Sequence, residues 1–124
     1  MQDEPAPPEI LAAVAAFLRD AVIPQATPLV AYQARVAANA VDLVVRQLTL
    51  APTADSAEHA RLRALLGRDG SVADLNAALA TGLAEGTIAA ADAAQHLRTT
   101  TLAKLAVDQP NYSGTLAALA AKDA

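Results

Sequence analysis

Apolar residues recur at intervals of three and four from about Pro8 to just before Pro24, a pattern that predicts an amphipathic first helix. Proline is tolerated in the first turn of a helix, whereas the ring of a later proline resists its continuation, so both prolines fit these ends. We expect Arg19 and Asp20 to lie outside the apolar stripe of this surface helix. The stripe comprises Ile10, Leu11, Val14, Phe17, Leu18, Ala21 and Val22.

The longest helix is predicted to follow, because Thr27 and Pro28 form an N-cap and first-turn pair. Apolar periodicity then continues to about Leu50, and we expect the helix to end there, ahead of Pro52. Its apolar positions surround most of the helix, so neighbouring helices should cover it on several sides and make it central. These positions are Leu29, Tyr32, Val36, Val41, Leu43, Val44, Val45 and Leu48.

The rest of the chain predicts shorter helices. Ser71, with Asp74 three residues later, indicates a capped helix start, and glycines close two of the helices. One narrow stripe is expected on the capped helix, formed by Val72, Leu75, Leu79 and Leu83. The three helices run from about Thr53 or Asp55 to Leu66, from Ser71 to Gly86, and from about Ile88 or Ala90 to Val107.

These elements predict an all-α fold, a compact bundle of four to five helices with a long central second helix. We expect a single helical domain over residues 1–124, in which residues 1–7 form a disordered lead-in and residues 109–124 are partly ordered. In the tail, a short helix would be marginal unless Leu116 and Leu119 dock.

Composition narrows the class of protein. The chain is 54% apolar and 2% aromatic, which favours helices packed through small side chains over strands. A net charge of -4 gives no basic surface, so neither nucleic acid nor an anionic membrane is an expected partner. The longest apolar run, Ile10 to Leu18, is too short to span a bilayer, and the acidic, proline-rich start is unlike a secretory signal. We therefore expect a cytoplasmic protein.

Four polar residues interrupt the apolar pattern of the second helix. Arg35, Asn39, Asp42 and Arg46 fall within an arc of about 60° on a helical wheel. Three interpretations are open. The four residues could form a solvated stripe in which Asp42 pairs with Arg35 or Arg46, a polar seam packed against another helix, or a receptor for a carboxylate or phosphate group.

The position of Arg98 favours the second interpretation, a polar seam between two helices. This arginine projects from the middle of an apolar stripe on the fifth predicted helix, formed by Ala91, Ala94, Leu102 and Leu105. A buried guanidinium requires a partner, so we predict that Arg98 contacts the second helix at Asp42 or Asn39.

No residue pattern predicts catalysis, a metal site or a cofactor. Cysteine is absent, and His59 and His96 lack the spacing of metal ligands, with His96 off the apolar stripe. The segment from Asp108 through Pro110 and Tyr112 is a polar turn with an aromatic residue. It is either a helix stop, with the Tyr112 ring folded over the bundle, or a docking loop for another protein.

The segments QARVAANAVDLVVRQL and HLRTTTLAKLAVDQPNYSG resemble a small bacterial all-helical domain family of uncharacterised function. Members are often encoded beside aminoglycoside-phosphotransferase-like kinases and acyl-CoA dehydrogenases, which implies one of these enzymes as a protein partner. One departure is Gln47, where relatives favour Glu. The positions that carry the resemblance are Gln33, Arg35, Asn39, Arg46, His96, Leu97, Arg98, Asp108, Pro110 and Tyr112.

The function that we expect is therefore that of a non-catalytic accessory or interaction protein associated with a phosphotransferase or acyl-CoA dehydrogenase pathway. Alanine-rich faces on the first and fourth helices would also suit a homodimer. The alternative is a small anionic-ligand binder or enzyme with an interhelical site of Arg, Asn and Asp side chains, built on Arg35, Asn39, Asp42 and Arg98.

Overall fold

A computed structural model describes residues 3–123, and all regular elements in that range are helical. The predicted all-α fold with a long second helix is confirmed. A π-helical turn, Leu18–Val22, and a short 3-10 segment, Ile23–Gln25, follow the first helix. The lead-in predicted to be disordered, residues 1–7, lies partly outside the described residues. The five α-helices are α1 Pro7–Phe17, α2 Pro28–Leu66, α3 Val72–Glu85, α4 Ala90–Asp108 and α5 Ser113–Asp123.

Helix α2 continues through Pro52, so the predicted helix end near Leu50 was wrong. Proline has no backbone N–H, and the carbonyl of Leu48 therefore loses its usual hydrogen-bond partner. Burial on either side of the proline outweighs this loss, because Ala51 before it and Leu62 after it both lie in the interior. The hydroxyl of Ser56 also donates to the Pro52 carbonyl oxygen at 3.0 Å. The segment predicted as a separate third helix is the second half of α2.

The chain divides into two compact units, the first ending at Leu50 and the second beginning at Ala51. The division falls within α2, beside Pro52. The first unit contains α1, the two irregular helical turns and the first half of α2. The second contains the rest of α2 together with α3, α4 and α5.

In the described part of the first unit, every buried residue is an alanine. Small residues at such positions allow helices to approach closely, but they bury little apolar surface. The residues predicted as one apolar stripe on the first helix fall into two groups. Ile10, Val14 and Phe17 are exposed and form the outer line of α1. The others are at least half-buried: Leu11, Leu18, Ala21 and Val22. The prediction of one buried stripe was too broad, because a single neighbouring helix covers only part of the circumference. The buried residues are Ala15, Ala31, Ala34 and Ala38.

The second unit has a core of larger side chains. Ser71 caps α3, its Oγ accepting the N–H of Asp74 at 3.1 Å, as the sequence predicted. Gly82 lies under Ile88, and a Cβ at this glycine would come within 2.5 Å of the Ile88 Cδ1 atom. The core consists of Leu62, Leu75, Leu79 and Ala93, with Leu65, Leu66, Val72, Leu83 and Ile88 packed against it.

The buried face of α4 differs from the predicted one. Ala93, His96 and Val107 are buried, whereas Ala91 and Ala94 are exposed. Alanine is equally compatible with both faces, so its spacing on α4 did not identify the interior side. In α5, Thr115 is buried while Leu116 and Leu119 remain exposed.

Candidate functional site

Arg19 joins two of the four polar residues predicted on the second helix. It lies in the π-helical turn after α1, and its Nη2 donates to Oδ1 of Asn39 at 2.9 Å and to Oδ2 of Asp42 at 2.7 Å. The hydrogen bond with Asp42 is the main reason that the pKa of Arg19 is raised. The side chains of Arg19 and Asp42 are 40% and 36% exposed, so solvent screens this ion pair.

The sequence analysis predicted Arg98 as the partner of Asn39 or Asp42, whereas the partner that the structure shows within the first unit is Arg19. Arg98 is exposed, and its Nη2 donates to the backbone carbonyl oxygen of Ala118 in α5 at 3.3 Å. Helical spacing shows which residues share a face of one helix, but not which other helix that face meets. Of the other predicted seam residues, Arg35 is exposed and Arg46 is half-buried.

A wide apolar surface lies on the first half of α2, beside the polar residues and facing away from the buried alanines. Five of its residues fall within an arc of about 60° on a helical wheel, and their exposed fractions run from 37% for Leu43 to 67% for Leu29. Three further exposed residues, Val30, Val44 and Leu48, extend the surface to an arc of about 160°. We call these eight residues the α2 apolar face. The five residues in the narrow arc are Leu29, Tyr32, Val36, Leu43 and Leu50.

The second unit contains a buried polar cluster that the sequence did not predict. Glu58 and Arg61 lie one turn apart on α2, Asn76 is on α3, and His96 and Thr100 are one turn apart on α4. The amide of Asn76 donates to Oε1 of Glu58 at 3.0 Å, and Nη2 of Arg61 donates to the Thr100 hydroxyl oxygen at 3.1 Å. Glu58 is 7% exposed and His96 is 6% exposed. Polar groups thus connect three helices beside the leucine core.

Two nitrogen atoms of this cluster are unsatisfied. Nδ1 of His96 and Nε of Arg61 are buried, and neither has a hydrogen-bond partner in the described part of the chain. Burial lowers the pKa of His96, the positive charge of Arg61 lowers it further, and the negative charge of Glu58 acts in the opposite direction. The folded chain therefore holds a proton on His96 less readily than the unfolded chain does.

The buried His96 gives the stability of the second unit a pH dependence. Its pKa is lower in the folded chain than the value of about 6.5 expected in the unfolded chain. As pH falls below about 6.5, the unfolded chain takes up the proton more readily, so the free energy of unfolding should decrease. Urea titrations at a series of pH values between about 7.5 and 5.5 measure this loss.

His96→Gln removes the titrating group and should flatten that part of the pH profile. His59→Gln is the matched control, because the Nε2 of His59 lies 2.8 Å from the Gly70 carbonyl oxygen, outside the cluster. An unchanged profile in His96→Gln would show that another group causes the pH dependence.

The predicted docking loop connects α4 to α5. Asp108 is the last residue of α4, and Pro110 and Tyr112 are exposed. The Tyr112 ring lies over Gly114, where an added Cβ would come within 2.6 Å of it. Tyr112 remains 51% exposed and does not bury its ring as the helix-stop interpretation expected. Its role in docking stays a prediction.

Several residues that form these sites carried only weak sequence signals. Arg19 was noted outside the α1 stripe, but nothing in its spacing indicated a contact with Asp42, 23 residues later. Glu58 and Arg61 resemble ordinary surface charges of a helix, and Asn76 is one polar residue beside an apolar stripe. His96 and Thr100 are four residues apart, which could have suggested a shared polar face.

Comparisons with known proteins identify a family for the chain without assigning it an activity. The model of a domain of unknown function, DUF6285, matches residues 24–112. A search of the curated proteins found no match, and a search of the solved structures found none either. The matched range includes the whole of α2, α3 and α4 and thus both the α2 apolar face and the buried polar cluster. Because this range is more than half of the chain, the protein belongs to the DUF6285 family.

Proposed function

We propose that the protein is a non-catalytic accessory protein that binds other polypeptides through apolar residues of its first unit. Eleven of the fifteen exposed large apolar residues in the described part of the chain lie there. Exposed apolar surface of this extent is typical of protein interaction sites. This concentration, in a unit whose described interior contains only alanine, is the observation that carries the proposal.

The polar groups of the first unit support binding more than chemistry. The charge of Arg19 is opposed by Asp42, at an exposed pair rather than in an enclosed pocket. A general base or an anion receptor needs a group that is free to meet its substrate. The alternative site of Arg35, Asn39, Asp42 and Arg98 draws no support from this arrangement, because Arg19 occupies Asn39 and Asp42.

The expected partner is an enzyme of the kind that the resemblance implies, a phosphotransferase-like kinase or an acyl-CoA dehydrogenase in the bacterial cytoplasm. The outer line of α1, consisting of Ile10, Val14 and Phe17, is a suitable contact surface. Phe17 is 60% exposed, and aromatic residues contribute strongly to binding at protein interfaces.

Calorimetric titration of the purified chain with each enzyme tests this function. The native chain should bind one of them, and Phe17→Asp should weaken the affinity about tenfold or more, because it places a charge in an apolar contact. Leu97→Asp is the matched control, since Leu97 is also apolar, helical and 44% exposed but lies in the second unit. No binding by the native chain to either enzyme would contradict the proposal, as would stabilisation by an acyl-CoA or a phosphorylated metabolite in a thermal-shift screen.

A further inference from the structure

The narrow part of the α2 apolar face has a seven-residue repeat. Leu29, Val36, Leu43 and Leu50 are each seven positions apart, and Tyr32 lies three positions after the first of them. A row at this spacing runs along one side of a helix and supplies one of the two core positions of a coiled coil. The other core position is Tyr32 in the first heptad and is polar in the next two, at Asn39 and Arg46. All five apolar residues are exposed, so the repeat has no covering helix in the described part of the chain.

The narrow part of the surface suits a single helix partner. The eight side chains of the α2 apolar face are on average about half exposed, and the five in the narrow arc point in nearly the same direction. One neighbouring helix covers only part of a helix circumference, so the narrow arc is the part that a second helix can bury.

The charges beside the repeat are self-complementary when two copies of α2 run antiparallel. Arg35 and Asp42 precede Val36 and Leu43, positions from which side chains reach across a coiled coil. With Leu43 opposite Tyr32 of the second copy, Arg35 lies opposite Asp42 of the second copy. Symmetry forms this pair twice. Arg19 bonds Oδ2 of Asp42, and a carboxylate has two oxygens and can accept from two arginines at once.

A parallel arrangement is less favourable. It would place Arg35 opposite Ala40 of the second copy, because residues that precede the repeat then face residues that follow it. The pair of Arg35 and Asp42 is therefore formed in the antiparallel arrangement and lost in the parallel one.

We propose that the α2 apolar face binds a second copy of this chain, with the two α2 helices antiparallel and Arg35 of each copy paired with Asp42 of the other. This inference rests on the proposed function in taking the exposed apolar residues of the first unit as contact surfaces. In such a dimer the outer line of α1 remains available to bind the partner enzyme.

Sedimentation velocity of the full chain across micromolar concentrations tests the dimer. The native chain should sediment as a dimer, and Val36→Asp should raise the dimer dissociation constant about tenfold or more, because it places a charge in the middle of the contact. Leu97→Asp should remain dimeric. Circular dichroism confirms that each variant keeps its helix content. A native chain that sediments as a monomer throughout, or a dimer unaffected by Val36→Asp, would overturn the proposal.

Spin labelling tests the direction of the helices. The chain has no cysteine, so Gln47→Cys introduces a single labelling position, exposed and at the edge of the narrow apolar arc of α2. In the proposed pairing Gln47 lies opposite Pro28 of the second copy, 19 residues away along α2, and at about 1.5 Å per residue the two labels are about 30 Å apart. A parallel pair would bring them within about 15 Å, which would contradict the proposed direction. Arg35→Glu should weaken the antiparallel dimer, since it faces Asp42 of the second copy with a like charge.

The outcomes also separate this inference from the proposed function. If Val36→Asp dissociates the dimer while the native chain binds neither enzyme, the dimer stands and the accessory function fails. If the chain is a monomer that binds an enzyme through Phe17, the accessory function stands and the second copy on α2 is excluded.

Discussion

Leu62→Ala should lower the free energy of unfolding by about 2–5 kcal/mol, because it removes a fully buried side chain from the core of the second unit. Leu62 is 0% exposed, and it belongs to the core cluster with Leu75, Leu79 and Ala93. Replacing it removes apolar contacts and leaves a cavity that helices already packed together can fill only partly. Chemical denaturation followed by circular dichroism measures the loss, which is a large fraction of the about 5–15 kcal/mol that stabilises a typical domain.

Leu97→Ala is the control for this change, because Leu97 is a leucine of α4 that is 44% exposed. Truncating this side chain removes fewer contacts, so the free energy of unfolding should change by no more than about 0.5–1 kcal/mol. Equal losses in the two variants would show that Leu62 does not occupy the described core.

Pro52→Ala should raise the free energy of unfolding by about 2–3 kcal/mol, since proline in a helix interior costs about 3 kcal/mol relative to alanine. Alanine restores a backbone N–H within reach of the Leu48 carbonyl oxygen, four residues earlier in α2. The gain is reduced by up to about 1 kcal/mol, because proline also restricts the unfolded chain. Chemical denaturation measures the change, with the midpoint and the slope fitted in the same way for the native chain and the variant.

Pro110→Ala is the matched control, because Pro110 is exposed in the turn between α4 and α5. Because Pro110 is not inside a helix, alanine there restores no intrahelical hydrogen bond. This substitution should therefore leave the free energy of unfolding unchanged or slightly lower. A loss of stability in Pro52→Ala would contradict the expected gain and would show that the proline ring makes contacts that compensate for the missing hydrogen bond.

The sequence predicted the helical elements well where local signals agreed. The cap at Ser71, the stripe through Leu75 and Leu79 and the glycine stop at Gly86 all appear as expected. Local signals were misleading at Pro52, where the penalty for proline was real but smaller than the burial on either side of it. A single unfavourable residue does not end a helix whose flanks are packed.

The candidate site was less predictable, because its residues meet across helices. Asn39 and Asp42 were singled out on one face of α2 with Arg98 as the expected partner, and the partner that the structure shows within the first unit is Arg19. Both arginines have the same charge and reach, so residue type alone could not choose between them. The choice depends on how α1 and α2 are aligned along their length, which no spacing within one helix specifies.

The sequence by itself determined that this protein is all-α, where most helices begin and end, and that α2 has more apolar positions than one neighbour can cover. Helical periodicity and capping are local properties, so they can be read from residues close together in the chain. Only the tertiary structure decided that the α2 apolar face is exposed and that His96 belongs to a buried polar cluster. Burial depends on residues far apart in sequence, and in an alanine-rich chain many helix faces are equally able to pack inward.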